Sequence, residues 1–167
     1  MTYLLKKNSS QGFTIIELLV YMGILSILLF ILTDIFVATL NVKSESESQA
    51  AVHQDGRYIL AKLMYDINQA SSVSSPSYST YSDSLTIVIN NSVKTYNSLG
   101  DKLYITEDLT ESNLLNSIDT QISDLKFTNL GNNPGKSTIQ ISFTLTSKMI
   151  KNTGPEVESF QTTIGLR

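Results

Sequence analysis

A long apolar run near the N-terminus constrains this chain more than any other feature. No residue from Leu18 to Leu32 is charged, and the mainly apolar stretch covers residues 13–38. A helix needs about 20 such residues to cross the hydrocarbon core of a bilayer. Because Lys6 and Lys7 precede the run, the positive-inside rule predicts a single-pass protein of the cytoplasmic membrane, with its N-terminus inside and its C-terminus outside the cytoplasm.

Two ordinary explanations of this run are a secretory signal peptide and a plain signal anchor. A signal peptide has an apolar region of roughly 7–15 residues followed by a small-residue cleavage site. The run here is longer, and Val37–Leu40 offers no such site. A signal anchor fits the length, but Glu17 argues against it. An unpaired carboxylate costs about 2.5–3.5 kcal/mol at the bilayer centre and less near the interface.

A cut between Gly12 and Phe13 would supply the partner that Glu17 lacks. It would create an α-ammonium four residues before Glu17, about one helical turn away. The ammonium of one subunit would then neutralise the carboxylate of a neighbour. Such a pair offsets two desolvation penalties and sets an axial register between subunits.

The sequence Gly-Phe-Thr-Ile-Ile-Glu-Leu-Leu at residues 12–19, preceded by the two leader lysines, resembles the class III prepilin signal of type IV pilins and type II secretion pseudopilins. The resemblance implies that a prepilin peptidase cuts after Gly12 and methylates the new N-terminal Phe13. It also implies that Glu17, the fifth mature residue, guides assembly with other pilin subunits on a pilus or secretion assembly platform.

Two further features indicate which subgroup of this family the chain resembles. Many major pilins have a helix-kinking proline at mature position 22, where this chain has Asp34, and its absence favours a minor pilin or pseudopilin. The segment Arg57–Ala70 and the last residues 162–167 are similar to J-type (PilW-like) minor pseudopilins. This similarity implies a position at or near the tip of a filament.

The helical pattern continues beyond the membrane run to about Ala70, where the serine-rich residues 71–77 predict a break. One stripe at helical spacing predicts a core-facing surface: Ile59, Leu60, Leu63, Met64 and Ile67. Charged residues off this stripe predict a solvated helix face, with Lys62 and Asp66 spaced to pair across one turn: His53, Asp55, Arg57, Lys62 and Asp66.

The remainder of the chain predicts strands that form an antiparallel head with one face on the helix. The predicted strands are Ser84–Ile89, Val93–Tyr96, Lys102–Ile105, Ile122–Leu130, Thr138–Leu145 and Val157–Leu166, with turns at Asn90-Asn91 and residues 131–135 and an ambiguous stretch at 109–118. The fold class is α+β. The predicted divisions are a leader at 1–12, an assembly helix at 13–38, its continuation at 39–72, and the head at 73–167.

Composition argues against several function classes. The chain has no cysteine and one histidine, which leaves little material for a metal site or a catalytic triad. A net charge of −3 without a basic face disfavours direct nucleic-acid binding. We predict no enzymatic activity, no cofactor and no metal. The only local carboxylate group for calcium is Glu107 and Asp108 with Glu111, and other head aspartates, including Asp83, Asp101 and Asp119, read as solvated turn residues.

The sequence thus predicts a minor pilin or pseudopilin subunit that is processed, anchored in the membrane and assembled into a pilus, competence or secretion filament. A non-polymerising single-pass protein with a ligand-binding β head is the alternative. It predicts that the leader stays on and that substitution of Glu17 is harmless.

Overall fold

A computed structural model describes residues 12–108, 110–132, 135–151 and 154–167. Lys6 and Lys7 therefore lie outside the described residues. One helix, α1, runs from Ile15 to Gln69, and the chain divides into two compact units between Asn41 and Val42. The strands are β1 (Ser72–Ser75), β2 (Tyr81–Ser82), β3 (Ser84–Ile89), β4 (Ser92–Leu99), β5 (Lys102–Glu107), β6 (Glu111–Leu114), β7 (Thr120–Asn129), β8 (Thr138–Lys151) and β9 (Gly154–Gly165).

The strands form two antiparallel sheets, where the sequence had predicted one antiparallel head. The first sheet has the order β1-β3-β4-β5-β6 and the second has the order β2-β7-β8-β9. All pairings are antiparallel. The long N-terminal helix and the antiparallel sheets confirm the predicted α+β class.

Most predicted strands are present, and two local expectations were wrong or incomplete. Residues 72–75, expected to be an irregular break, form the edge strand β1, which pairs with β3. The ambiguous stretch contains β6, whose four residues are all exposed. The predicted turn at Asn90 and Asn91 is a two-residue hairpin loop in which both residues have positive φ, 48° and 68°. Asparagine tolerates this conformation better than most residues.

Within the first unit, α1 is apolar and exposed on all sides. Its large hydrophobic residues between Ile15 and Leu40 are exposed, and its length and composition allow it to cross a membrane. The hydroxyls of Ser26, Thr33 and Thr39 each donate to the carbonyl four residues earlier at 2.8 Å. These polar groups are therefore satisfied inside the helix itself, as a lipid environment requires.

The second unit has a core in which one stripe of α1 packs with residues of both sheets. Val52, Ile59, Leu63 and Ile67 are fully buried in the same cluster as Ile87, Phe127 and Ile141. The predicted stripe was too wide, because Met64 is 43% exposed and Leu60 lies at the edge of the cluster. Each buried side chain of this size contributes about 1.5–3 kcal/mol.

Asp66 contradicts the prediction of a solvated helix face, because it is 1% exposed. Its carboxylate accepts a hydrogen bond from the Tyr96 hydroxyl and lies 3.2 Å from the Lys62 Nζ and 3.7 Å from the Lys94 Nζ. Lys94 also pairs with Glu107 at 2.8 Å. Burial and the hydrogen bond to Asp66 raise the pKa of Tyr96 far above its ordinary value, so Tyr96 stays protonated and donates to Asp66.

Asp55 also contradicts the prediction of a solvated helix face, because it is only 8% exposed. Its Oδ2 accepts from the Ser117 N–H at 2.8 Å and from the Thr120 Oγ1 at 2.5 Å, which fastens α1 to the residues just before β7 and to the first residue of β7. His53 is a surface residue as predicted, with its Nδ1 2.9 Å from the Glu158 Oε2. A buried carboxylate is tolerated only where donors replace its water, and both aspartates have such donors.

Gly56 lets α1 approach β9 closely. A Cβ built at this position would lie 2.2 Å from the Phe160 ring, well inside van der Waals contact. Phe160 in turn stacks on Phe143 with ring centroids 5.3 Å apart, so the ring cannot easily move away. Glycine at position 56 is thus a packing requirement of the second unit.

We expect Gly56→Ala to lower the free energy of unfolding by about 1–3 kcal/mol, because a methyl group there overpacks the core. Gly23→Ala is the matched control, since a Cβ at Gly23 would meet nothing within 4 Å and alanine favours the helix. Denaturant unfolding followed by circular dichroism measures both. Equal stability of Gly56→Ala and the wild type would contradict the assignment.

Candidate assembly and processing site

The start of α1 is fixed by Thr14. Its Oγ1 accepts a hydrogen bond from the Glu17 N–H at 3.3 Å, and its carbonyl accepts from the Leu18 N–H at 3.1 Å. Thr14 is therefore the N-cap residue, and its hydroxyl satisfies one of the amides that a helix start leaves unpaired. The order Thr-x-x-Glu is the sequence signature of a capping box. The N-cap role of Thr14 was not predicted from the sequence, although the Thr-x-x-Glu signature is present there.

Glu17 lies in the first turn of α1, where the helix dipole favours a negative charge. The Tyr21 hydroxyl lies 3.4 Å from its Oε1, a long contact on an exposed surface. Among residues 12–108, 110–132, 135–151 and 154–167, no lysine, arginine or histidine forms an ion pair with Glu17. The carboxylate is thus available to a cation from elsewhere.

Phe13 and Gly12 stand just ahead of the helix. Phe13 is 75% exposed and its ring meets that of Tyr21 edge-on, with centroids 5.9 Å apart. A Cβ at Gly12 would meet none of the described atoms within 4 Å. The structure places Phe13 and Glu17 at the same end of α1, and no contact with the described residues requires glycine at position 12.

The carboxylates considered for calcium have protein partners or lie on an exposed strand. Glu107 pairs with Lys94, while Asp108 accepts from the Ser92 hydroxyl at 2.9 Å and the Val93 N–H at 2.8 Å. The hydrogen bond from Val93 holds the pKa of Asp108 below its ordinary value. Glu111 is exposed on β6. In the part of the chain that the structure describes, no three His, Cys, Asp or Glu residues are grouped to hold a metal ion.

Comparison with known proteins finds a match in the N-terminal region of the chain. Residues 7–33 match the family model of the prokaryotic N-terminal methylation motif. This methylation motif contains Lys7, Gly12, Phe13 and Glu17, and it supports a type IV pilin-like or pseudopilin-like precursor. Together with the apolar helix, it fits a membrane-anchored protein. No curated protein and no solved structure matches the chain.

We expect Thr14→Ala to loosen the first turn of α1. Losing an N-cap costs about 1 kcal/mol, which corresponds to about a fivefold faster hydrogen exchange of the Glu17 amide. Nuclear magnetic resonance of the full chain in detergent micelles measures this rate. Ser26→Ala is the control, because the Ser26 hydroxyl donates to a helix carbonyl and caps no amide. An unchanged Glu17 exchange rate in Thr14→Ala would rule out the cap.

Proposed function

We propose that this protein is a minor pilin or pseudopilin. Prepilin peptidase cuts it between Gly12 and Phe13 and methylates Phe13, and α1 then assembles with the helices of other subunits. The methylation motif at residues 7–33 is the observation that carries the proposal. Under it, residues 1–12 form the leader, with Lys6 and Lys7 on the cytoplasmic side. Residues 13–38 anchor and assemble the protein, residues 39–72 continue the helix, and residues 73–167 form an extracytoplasmic head.

The electrostatics of the helix start support this role. A carboxylate near an apolar helix start is costly in lipid unless a cation meets it. The described residues supply no such cation to Glu17, and its one polar side-chain contact is long. The α-ammonium of a processed Phe13 from a neighbouring subunit is a suitable partner. Their pairing would stabilise the assembled helices and fix the axial step between them.

Gly12 supports the processing step by a different argument. Glycine is required in a fold where φ is positive or where another group approaches closely. Neither applies at Gly12, around which the described atoms leave open space. A requirement for glycine at this position would therefore come from recognition by the peptidase, whose active site must accommodate the cleaved bond.

We propose a structural and not an enzymatic role, because the methylation motif belongs to a structural family. We assign the chain to the minor subunits, of J type and at or near the tip, on the strength of Asp34 in place of proline and the similarity of residues 57–70 and 162–167. The alternative is a non-polymerising membrane protein that keeps its leader and binds a ligand through its head.

Processing is tested by mass spectrometry of the mature N-terminus in cells that have an active prepilin peptidase. We expect N-methyl-Phe13 as the first residue in the wild type. We expect Gly12→Val to keep Met1 and the leader, because a branched side chain next to the cut bond blocks the peptidase. A wild-type protein that retains its leader in these cells would favour the alternative.

Assembly is tested separately by Glu17→Gln, which removes the charge and keeps the size of the side chain. We expect normal cleavage and methylation but at least a tenfold loss of the protein from sheared surface or periplasmic filaments. Asp34→Asn is the charge-matched control on the same helix and is expected to assemble. Equal filament yield from Glu17→Gln and Asp34→Asn would contradict the register role of Glu17.

A further inference from the structure

Strand β9 is an edge of the second sheet, because it pairs with β8 on one side and the strand order ends there. The Leu166 N–H donates to the Ser137 carbonyl at 3.0 Å, and these two residues extend the register in which Gly165 lies opposite Thr138. In an antiparallel ladder, pairs that exchange hydrogen bonds alternate with pairs that do not. Every second residue of β9 therefore bonds to β8, and the residues between them direct their backbone groups away from it.

This alternation assigns each residue of β9 to one side. Counting back from Leu166, the residues that bond to β8 are Ile164, Thr162, Phe160 and Glu158. The residues between them form the outward set: Val157, Ser159, Gln161 and Thr163. The other side of β8 agrees, since the Leu130 N–H donates to the Thr138 carbonyl at 2.7 Å and directs that residue of β8 toward β7. Within the described ranges, no hydrogen bond involves the backbone N–H or C=O groups of the outward set.

Proteins commonly protect an exposed strand edge by keeping it short, by a bulge, or by lysine and proline residues. The other edges of the two described sheets are short, with four residues each in β1 and β6 and two in β2. β9 has twelve residues, and its register with β8 is regular from Val157 to Gly165. Its proline and its two glutamates lie within residues 155–158, so residues 159–165 carry no protecting group. This stretch is an open edge.

The side chains beside this edge indicate which kind of strand fits it. On the side of α1, Phe160 is only partly buried, whereas its neighbour Phe143 on β8 is 2% exposed. The apolar surface of the core therefore continues to the edge. On the opposite side, the outward set is exposed and uncharged. Because neighbouring strands lie about 4.8 Å apart, an added strand would contact both sides, and the best match alternates apolar residues with uncharged polar ones.

A second copy of β9 has this alternation but does not fit the anchored chain. An antiparallel two-fold pair has its axis perpendicular to the sheet, so it reverses the part of α1 that lies against β9 at Gly56. The chain would then enter the two copies at opposite ends of the pair, whereas two apolar runs anchored in one membrane require the same end. A parallel two-fold pair turns one sheet over and places the Phe160 side of one copy beside the polar side of the other. The edge therefore fits a segment of a different protein.

We propose that the β9 edge binds an extended segment of another protein, which adds a strand to the second sheet through backbone hydrogen bonds. Main-chain bonds supply the affinity in this mode of recognition, and alternate side chains supply the specificity. The segment lies along residues 157–163 and alternates apolar with uncharged polar residues. Neither cleavage at Gly12 nor the register role of Glu17 enters this inference, so its failure would leave both untouched.

Amide hydrogen exchange of the full chain in detergent micelles, followed by nuclear magnetic resonance, tests the edge. The probe is a synthetic peptide that copies residues 138–146, with terminal lysines added for solubility, because this sequence alternates as required and already pairs with β9 in the fold. We expect the amides of Ser159, Gln161 and Thr163 to exchange about tenfold more slowly with the peptide, since a hydrogen-bonded amide exchanges only when it opens. The amides of Phe160 and Thr162 already bond to β8 and serve as internal references.

Substitution of Gln161 separates backbone from side-chain recognition. Gln161→Pro removes an outward N–H, which an edge strand tolerates because that N–H faces solvent, and we expect the peptide no longer to slow exchange at Ser159 and Thr163. Gln161→Ala is the matched control, because it keeps the N–H and should bind the peptide like the wild type. If Gln161→Pro fails to fold, the wild-type measurement still decides.

Three results would overturn the proposal. The first is unchanged exchange of the outward amides when the peptide is added to the wild type. The second is the same response to the peptide in Gln161→Pro and Gln161→Ala, whether both bind it or both lose it. The third is slowing that grows with protein concentration in the absence of peptide, which would identify a second copy of the chain as the occupant of the edge.

Discussion

The second unit depends on burying two carboxylates of α1 and giving each of them hydrogen-bond donors or cations in place of water. The chain has no disulfide to hold this unit together, so the apolar stripe of α1 and the donors around Asp55 and Asp66 provide its cohesion. Removing one partner from a buried ionic pair commonly costs 3–5 kcal/mol, because the other charge is left unpaired. Asp66 joins the helix to β4 through Tyr96 and Lys94, and Asp55 joins it to the start of β7 through Thr120. The apolar contacts of the core form around these two polar attachments.

Much of the fold followed from local patterns in the sequence. Alternation predicted β8, a β-branched run predicted β3, and the Asn90-Asn91 pair predicted the hairpin loop that follows β3, because strand composition and turn chemistry are properties of a few adjacent residues. The continuous apolar run likewise predicted the exposed first half of α1. The division into two sheets was not predictable, since it depends on which strands pair across the chain.

The buried aspartates show why periodicity fails for polar core residues. A helical stripe counts apolar side chains, and a carboxylate next to the stripe looks solvated unless its donors are known. Apart from Lys62, one turn before Asp66, the donors include Tyr96, Lys94 and Thr120, which lie 28 to 65 residues away from the aspartates in sequence. Similarly, β1 is a short serine-rich edge strand whose formation depends on pairing with β3 and not on its own composition.

The helix start was easier to predict from sequence than the rest of the candidate site. Glu17 stood out because a charge is unusual at the edge of an apolar run, and Gly12 and Phe13 stood out through the resemblance to the prepilin signal. The capping role of Thr14 was not predicted, although Thr-x-x-Glu is itself a local signal.

The contact between Gly56 and Phe160 also has an evolutionary consequence. The backbone of α1 and an aromatic ring of β9 share a space that admits only one bulky group. Among related chains, a residue larger than glycine at the first position should therefore be accompanied by a smaller side chain at the second. Correlated substitution at these two positions would mark the helix–strand spacing as the quantity that selection preserves.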